Sequence, residues 1–273
     1  MTADRSPTFS ILVPSYNPGA YLHAALDSAL EAIGPSDEIV IQDACSTDGT
    51  NEVLAEFAQR DPRVKPLVEP DAGQSDALNR ALARAIGDWV IWLNADDVIV
   101  AGAVKQIREA ILNAPQDLDI VTGNHQVLRA GGEVIDDYHG KPITTRTLLR
   151  RSTCASFSGS VAIKTEFLRA IGGYETDLNC TMDYALQFNI AERDPRQLAI
   201  PVCVGALRIH DASKTSNLWK TFLVESFRLR MAYSRSVLEY LLGIIGTLEQ
   251  ALSFAVFKIR LTRAYRRLRG VFA

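Results

Sequence analysis

The sequence predicts an α/β fold in which a mostly parallel sheet is covered by helices. Three observations support this: short apolar runs alternate with helical patterns over residues 1–125, these runs are almost continuously apolar, and polar turns follow them. Strands buried on both faces show such runs, and their alternation with helices is typical of parallel sheets. The length of 273 residues, with 47% apolar and 22% charged residues, allows one large domain with an appendage or two small domains.

Five segments are predicted to form the strands of the first half. They are Phe9 to Val13, Glu38 to Gln42, Val64 to Val68, Trp89 to Leu93 and Ile120 to Thr122. Apolar residues at helical spacing follow the first two strands, namely Leu22, Leu26, Ala29, Leu30 and Ile33, and then Val53, Leu54 and Phe57. No GxGxxG follows the first strand and no Walker A sequence occurs, which argues against a Rossmann dehydrogenase and a P-loop NTPase.

The second half is more mixed in pattern. The segment SGSVAIKTEFLRAIGGY predicts a strand, a short helix and a glycine turn, and NCTMDYALQFNIAE predicts a helix beginning near Thr181. A last strand is predicted from about Val202 to Ile209, before the polar segment RIHDASKTS. We therefore expect one domain over residues 1–213, divided at about residue 125, and a helical extension over residues 214–273.

The C-terminal extension is basic, with 11 Lys and Arg against three Asp and Glu from Lys214 to Ala273. Val237 to Phe257 is strongly apolar, but Glu239 and Glu249 keep its uncharged stretches short of the 18 or so residues that a spanning helix needs. An apolar stripe then continues among basic residues; the stripe is Phe257, Leu261, Ala264 and Leu268, and the basic residues are Lys258, Arg260, Arg263, Arg266, Arg267 and Arg269. This pattern favours a helix lying on an anionic membrane, and the alternative is a helix that packs on the body or on a second subunit.

The cysteines and the N-terminus indicate a reducing compartment. Cys45, Cys154, Cys180 and Cys203 lie far apart with no CxxC pair, so neither a zinc site nor a disulfide framework is predicted. The residues before Pro14 hold no apolar run long enough for a signal peptide. We expect a cytoplasmic protein, peripheral on the inner face of the cell membrane if the tail binds lipid.

Two adjacent carboxylates end the buried run in DWVIWLNADD, at Asp96 and Asp97. In parallel sheets the polar turns at the carboxyl ends of the strands meet at one edge, and carboxylates crowded there need cations or donors. A divalent ion completed by phosphate oxygens would satisfy them. The alternative is that NADD caps the following helix, since Asn and Asp favour such positions.

The other polar turns offer weaker individual signals. Tyr16 could present an aromatic face to a nucleotide base, and Asp43 could accept a hydrogen bond from a base N–H, but a tyrosine in a turn often only packs. Asp48 in STDGT is explained by a helix cap or a turn. His210 could be a residue of the site or, equally well, a buried, hydrogen-bonded core residue. Lys214 could bind phosphate or be solvated.

Several motifs together resemble a known family. The segments VPSYN, IVIQDACSTDGT, EPDAGQSDALNRALARAIGDWVIWLNADD, GGYETDLNCTMDYAL and RIHDASKT are similar, in this order over residues 8–217, to the inverting glycosyltransferases of family 2. The resemblance implies the nucleotide-sugar-binding fold called GT-A, with a nucleotide-sugar half over residues 8–125 and an acceptor half over 126–213. It also implies a divalent cation, Mn²⁺ or Mg²⁺.

The resemblance assigns roles by position. Pro14 and Tyr16 match the loop that holds the base, with Asp43 bonding the base, and Asp71 and Ser75 match the loop that lines the nucleoside and sugar. Asp96 and Asp97 match the acidic metal motif, with Asp97 the first choice for the ion and Asp96 facing the ribose or a metal-bound water. Asp183 matches the catalytic base, and His210 a position near the metal and the diphosphate.

Three motifs depart from the family's usual pattern. Asn94 stands where the metal motif often begins with Asp, Ala44 and Cys45 stand where a turn often reads Asp-Gly, and Met182 stands where many relatives have Glu. The first two departures bear on nucleotide choice more than on activity. Met182 relieves like-charge pressure on the pKa of Asp183.

The expected function is metal-dependent inverting transfer of a sugar, hexosyl in type, from a nucleotide-diphosphate donor to a hydroxyl on a saccharide or lipid-linked acceptor. Cell-surface polysaccharide or glycolipid synthesis is the expected setting, and nucleic acid is not an expected partner. One alternative is an inactive nucleotide-sugar-binding or scaffold subunit, which would be free to lose Asp97 or Asp183. Another is a sugar-phosphate nucleotidyltransferase, but PSYNPG lacks the basic residues usual in its first loop.

Overall fold

The structure is a computed structural model that describes residues 6–115, 117–150, 154–210 and 218–261, with side chains described up to residue 256. Within these residues nine strands form one sheet. The strands are β1 Phe9–Ser15, β2 Glu38–Asp43, β3 Val64–Val68, β4 Trp89–Trp92, β5 Val98–Ile99, β6 Ile120–Arg129, β7 Val134–Tyr138, β8 Val161–Lys164 and β9 Gln197–Ile209.

The sheet has a parallel half and a mixed half, in the order β3-β2-β1-β4-β8-β6-β9-β5, with β7 paired to β6. Strands β3, β2, β1 and β4 are parallel, and β8 enters antiparallel between β4 and β6. Because the parallel strands share one direction, their following loops all open at the same edge. The predicted α/β architecture is therefore confirmed.

Helices cover both faces of the sheet. They are α1 Tyr21–Ala32, α2 Thr50–Arg60, α3 Gln74–Arg84, α4 Ala103–Leu112, α5 Thr145–Arg150, α6 Thr165–Ala170, α7 Met182–Ala191, α8 Trp219–Tyr233 and α9 Val237–Leu261. Successive residues of β1 serve opposite faces: Ile11 packs with α1 and α4, whereas Leu12 packs with α3 and α7. This alternation is the geometry of a strand, and it explains why β1 is buried at every position and mostly apolar.

The predicted strands of the first half all exist, with one difference in burial. Strands β1, β2 and β4 are buried throughout, whereas β3 is an edge strand that exposes Leu67 and Val68. Lys65 and Pro66 suit an edge, since charge and proline discourage further pairing. The short strand β5, the exposed strand β7 and the helix α5 escaped prediction because they lack a sustained apolar pattern.

The last strand begins earlier than predicted, at Gln197 instead of Val202. It pairs parallel to β6, and the register shifts where Thr122 lies opposite Ala199 but Asn124 lies opposite Cys203. Pro201 falls in this irregular stretch, where a residue without an N–H costs no ladder hydrogen bond. The predicted strand, short helix, glycine turn and the helix after Thr181 are confirmed as β8, α6 and α7.

The C-terminal helices pack on the body rather than trailing from it. Helix α8 packs on α7, and α9 packs on α8 and α5. Among the described residues one segment, Val237–Val256, is long and apolar enough to cross a membrane by length and composition alone. The two glutamates therefore do not by themselves rule out a spanning helix, contrary to the expectation from the sequence. Lys214 and the basic side chains after Val256 lie outside the described residues.

Candidate functional site

The loops after β1 and β2 are tied together at the edge of the sheet. Asp43, at the end of β2, is fully buried, and its Oδ2 accepts hydrogen bonds from the hydroxyls of Ser15 and Ser46, both at 2.7 Å. Its Oδ1 accepts the backbone N–H of Ser46 at 2.8 Å. Asn17 adds a second link, since its N–H donates to Ser46 Oγ at 2.8 Å. These bonds give the two loops one fixed arrangement.

The side chain of Tyr16 is exposed beside these two loops. It directly follows β1, and 68% of its surface is accessible, whereas Pro14 is buried within the strand. So exposed a ring is unusual for a tyrosine, because its apolar face gains free energy by burial. Asp48 is explained by local structure: it accepts hydrogen bonds from the N–H of Gly19 and from Thr50, as the turn interpretation predicts.

The loop after β3 carries two buried polar atoms without partners. Asp71 Oδ1 accepts the N–H of Gly73 at 2.9 Å, but its Oδ2 and the hydroxyl of Ser75 are buried and have no hydrogen-bond partner among the described residues. Gly73 has φ +113°, which side chains rarely adopt, so glycine allows the turn that leads into α3. Burial, and then the charges of Asp76 and Asp43, raise the pKa of Asp71. Such orphaned atoms mark a place where a ligand would complete the structure.

Asn94 holds the turn after β4 in place. Its side-chain oxygen accepts hydrogen bonds from Trp92 Nε1 at 2.8 Å and from Gln74 Nε2 at 2.9 Å, and its Nδ2 donates to Asp97 Oδ2 at 2.8 Å. An aspartate at this position could not donate to Asp97 and would add a third carboxylate. The departure from the usual acidic motif therefore has a structural role in this chain.

Asp97 is the inner carboxylate of the pair. Its side chain is 1% exposed, and its Oδ1 accepts the backbone N–H of Arg208 at 2.8 Å while Oδ2 accepts the Asn94 amide. Burial, and then the neighbouring charge of Asp96, raise its pKa to about 7, although these two hydrogen bonds oppose the rise. Asp97 thus joins the β4 turn to β9.

Asp96 is the outer carboxylate and faces His210. A third of its side chain (33%) is exposed, and its Oδ2 lies 3.0 Å from His210 Nε2. The imidazole lies against Tyr21 with the ring centroids 4.6 Å apart, and Arg208 Nε donates to the Asp96 carbonyl at 3.0 Å. His210 is therefore both largely buried and in contact with the acidic motif. The sequence left open whether His210 is a buried, hydrogen-bonded residue or a residue of the site, and the structure is compatible with both.

The helix-cap interpretation of NADD is not what the structure shows. Helix α4 begins at Ala103 after Gly102, and the strand β5 separates it from the two aspartates. Within the described part of the chain, no three His, Cys, Asp or Glu side chains come together to hold a metal by themselves. The Asp96–His210 pair offers one carboxylate oxygen and one imidazole nitrogen, a donor set that suits Mn²⁺ when phosphate oxygens supply other positions.

Asp183 lies on the other side of β4, in the first turn of α7. Its Oδ1 accepts the N–H of Tyr184 at 2.8 Å, and its Oδ2 lies 3.4 Å from the thiol of Cys154, which donates to it. Burial raises the pKa of Asp183, and these donors oppose the rise. Asp183 lines a small cavity together with Trp92, so the helix that carries it adjoins the strand that ends in the acidic motif.

The sequence analysis missed two residues that hold these groups. Arg208 contacts both members of the acidic pair through its backbone N–H and its Nε. Glu225 accepts hydrogen bonds from the three residues that lead into α7. The available signal for Glu225 was a single carboxylate in the otherwise uncharged run TFLVESF, which indicates a buried charge with partners elsewhere in the fold. Cys45, Cys154, Cys180 and Cys203 are free thiols in the structure.

Comparison with known proteins agrees with this architecture. Residues 10–150 match the model of the family described as glycosyl transferase family 2. The putative teichuronic acid biosynthesis glycosyltransferase TuaG of Bacillus subtilis is 38% identical over 33% of this chain and 36% of its own length. Chondroitin synthase of Pasteurella multocida is 26% identical over 78% of this chain and 22% of its own length. The chain thus spans well under two thirds of these relatives.

Two solved structures show the same fold across almost the whole chain. S. aureus TarS 1–349 in complex with UDP-GlcNAc has a TM-score of 0.66 at 18% identity, covering 95% of this chain and 77% of that one. The mannosyltransferase PcManGT from Pyrobaculum calidifontis, in complex with GDP-Man and Mn²⁺, has a TM-score of 0.62 at 20% identity, covering 97% and 84%. The predicted GT-A fold with C-terminal helices is confirmed. With more than half of its length matched, the chain belongs to glycosyl transferase family 2.

Proposed function

We propose that this chain is a metal-dependent, inverting glycosyltransferase that moves a sugar from a nucleotide-diphosphate donor to a hydroxyl acceptor. The observation that carries the proposal is the contact of Asp96 with His210 at the loop edge of the sheet. The loop with the partnerless atoms of Asp71 and Ser75 is joined to the same turn through the hydrogen bond from Gln74 to Asn94. The bound UDP-GlcNAc of TarS and the GDP-Man and Mn²⁺ of PcManGT support it by analogy of fold. The names of TuaG and chondroitin synthase favour polysaccharide synthesis as the setting, with glycolipid synthesis as the other expectation.

The donor would lie along the loops that follow β1 to β4. Tyr16 would stack on the base, and Pro14 would hold the loop that carries it. Asp43, the residue that the sequence suggested for a base N–H, is fully buried with both oxygens bonded to Ser15 and Ser46, so it would act by fixing the two loops around the base. Asp71 Oδ2 and Ser75 Oγ would gain the hydrogen bonds that they lack by contacting the nucleoside and sugar. The donor thereby satisfies atoms that the folded chain leaves unsatisfied.

Asp96 and His210 would hold the divalent cation, and this reverses the preference for Asp97 that the sequence suggested. Asp96 has an exposed oxygen, whereas both oxygens of Asp97 are committed to Arg208 and Asn94. Asp97 would act by fixing the turn that aims Asp96. When bound, the cation supplies electrostatic stabilisation of the negative charge that develops on the leaving diphosphate.

Asp183 would remove the proton from the acceptor hydroxyl. As that oxygen forms its bond to the anomeric carbon, the bond from the carbon to the diphosphate oxygen breaks, and attack from the opposite face inverts the configuration. A base needs a pKa nearer to the working pH than that of an ordinary aspartate, and burial raises the pKa of Asp183 in this direction. One displacement by the acceptor requires no protein nucleophile.

Helix α9 supports peripheral association with an anionic membrane. Its inner side docks on the body, where Gln250 donates to Ser226 at 3.2 Å and Arg230 donates to Gln250 at 2.9 Å. Its outer side exposes a broad apolar face, formed by Val237, Leu238, Leu241, Ile244, Ile245, Leu248, Leu252 and Val256. A polar docked side suits a helix that lies on a membrane more than one that spans it, and the basic segment after Val256 complements anionic lipid.

A screen of nucleotide sugars tests the proposed chemistry. We expect UDP or GDP sugars to raise the melting temperature more with Mn²⁺ or Mg²⁺ than with EDTA, and slow hydrolysis to release the nucleotide diphosphate. The anomeric configuration of the first-formed sugar, followed by NMR, should be opposite to that of the donor. Metal-independent stabilisation would contradict the proposed cation, and retained configuration would contradict single displacement.

A further inference from the structure

Helix α8 follows α7 along its length, although α8 belongs to the predicted C-terminal extension. The guanidinium of Arg230 lies 5.3 Å above the ring of Tyr184, and the ring of Tyr233 stacks on Phe188 with centroids 4.7 Å apart. Tyr233 also donates a hydrogen bond to Asn189. The extension is therefore part of the support of the helix that carries Asp183.

Glu225 makes several of these contacts at once, with the residues that lead into α7. Its carboxylate is 6% exposed and accepts the backbone N–H groups of Asn179 at 3.0 Å, Cys180 at 3.0 Å and Thr181 at 3.1 Å. It also accepts the Thr181 hydroxyl at 3.0 Å. Three consecutive backbone donors on one buried carboxylate fix both partners closely.

The contact holds the segment that leads into α7 rather than capping the helix itself. The three N–H donors belong to residues before Met182, where α7 begins, and the side chain of Thr181 at the N-cap makes no cap hydrogen bond to the helix. Within the first turn, the N–H of Tyr184 donates to Asp183. Glu225 also places its negative charge near the positive end of the α7 dipole. Burial alone would raise the pKa of Glu225, but the hydrogen bonds outweigh it and the pKa is lowered, so the carboxylate is ionised at neutral pH.

We propose that Glu225 is a positioning residue for Asp183: by binding, from α8, the three residues that lead into α7, it sets where the carboxylate of the base lies. The inference rests on the proposed role of Asp183. Asp183 is two residues from Thr181, and its own contacts with Tyr184 and Cys154 orient its carboxylate within this region. Glu225 instead fixes the start of the helix relative to the rest of the fold.

The size of the expected effect follows from how strictly proton transfer depends on distance. Misplacing a reacting group by about 1 Å costs about 100-fold in rate. Glu225→Gln keeps the size of the side chain but turns one oxygen into an NH₂ group, which faces N–H donors and cannot accept their hydrogen bonds. We expect kcat to fall about 10- to 100-fold in this variant, with little change in KM for the donor, because the donor loops lie on other elements.

Glu38→Gln is the matched control. Glu38 is also a buried carboxylate, and it accepts hydrogen bonds from the Ser10 hydroxyl at 2.6 Å, the Ile86 N–H at 2.7 Å and Lys65 Nζ at 2.6 Å. It lies away from α7, so Glu38→Gln should lower the melting temperature without the selective loss of kcat. An equal loss of kcat in both variants, in proportion to their melting temperatures, would show that Glu225 is merely structural.

Two further measurements keep the outcomes distinct. Amide hydrogen exchange should become faster at Cys180 to Tyr184 in Glu225→Gln and stay unchanged in β1 and β2; unchanged exchange together with unchanged kcat would overturn the inference. Donor hydrolysis by Glu225→Gln, Asp183→Asn and the double variant then separates the two hypotheses. If Glu225 acts through Asp183, the double variant is no slower than Asp183→Asn. An active Asp183→Asn would instead remove the proposed base.

Discussion

His210 Nε2 lies 3.0 Å from Asp96 Oδ2, although 114 residues separate them in the chain. Asp97, the immediate neighbour of Asp96, is turned inward to the backbone N–H of Arg208. Two adjacent carboxylates thus have different surroundings, one open to a ligand and one committed to the fold. This difference leads to separate expectations for their variants.

Asp96→Ala and His210→Ala should abolish the Mn²⁺-dependent part of nucleotide-diphosphate binding while leaving the fold intact. Asp97→Ala should instead mainly lower the free energy of unfolding, by about 1–3 kcal/mol for each buried partner left unpaired. Titration calorimetry with UDP and GDP, with and without Mn²⁺, and urea unfolding measure the two effects. If an Asp97 variant keeps its stability but loses metal-dependent binding, Asp97 and not Asp96 is the metal ligand.

The division of roles within the acidic pair shows what the sequence could predict. The sheet order brings the carboxyl ends of β1, β2 and β4 to one edge, so the position of the acidic motif followed from the strand pattern alone. Which aspartate faces outward depends on Asn94 and on Arg208, a residue 111 positions away, and no local pattern contains that information.

The same reasoning explains why Glu225 was not found from the sequence. The succession of strands along the chain and the start of α7 follow from local periodicity, which can be recognised in one sequence. The partner of the α7 terminus lies 44 residues beyond Thr181, on a helix that the charge pattern assigned to a separate tail. Contacts between elements of this kind depend on packing, so only the structure reveals them.

Asp183→Asn should lower transfer by several orders of magnitude and leave nucleotide-sugar binding nearly unchanged. The base acts when it is ionised, and burial raises the pKa of Asp183, so kcat/KM should fall as the pH decreases through a value above the ordinary aspartate pKa of about 3.9. A pH profile of the wild type and a nucleotide-sugar binding titration of the variant measure this. Near-normal turnover of Asp183→Asn would contradict the assignment.

Cys154→Ala tests the same assignment of Asp183 through a smaller change. The thiol donates to Asp183 Oδ2 and lowers the pKa of the carboxyl, so its removal should move the acidic limb of the pH profile to higher pH. Activity on the plateau should change little. Burial raises the pKa of the Cys154 thiol and keeps it protonated, so the thiol does not itself act as the base. An unshifted limb would show that another group controls the profile.

Tyr16→Ala should weaken nucleotide binding by about 1–3 kcal/mol, the usual contribution of an aromatic ring stacked on a base. The ring is 68% exposed, so its removal should not affect the free energy of unfolding. Tyr138→Ala is the matched control, since Tyr138 is 48% exposed on β7, away from the donor loops. Equal affinity of the Tyr16 variant and the wild type for UDP and GDP would contradict the proposed stacking of Tyr16 on the base.

Leu241→Glu combined with Leu248→Glu should reduce binding to vesicles that contain anionic phosphatidylglycerol by at least about tenfold, because charge on the apolar face of α9 opposes its burial in the headgroup region. Both leucines are exposed, so the fold should remain intact, and Ile86→Glu, at an equally exposed site outside α9, should leave binding unchanged. Co-sedimentation with anionic and neutral vesicles at low and high salt separates the apolar from the electrostatic part. If the wild type ignores both vesicle types but forms a dimer that the double variant cannot form, the face of α9 binds a second copy of the chain instead of lipid.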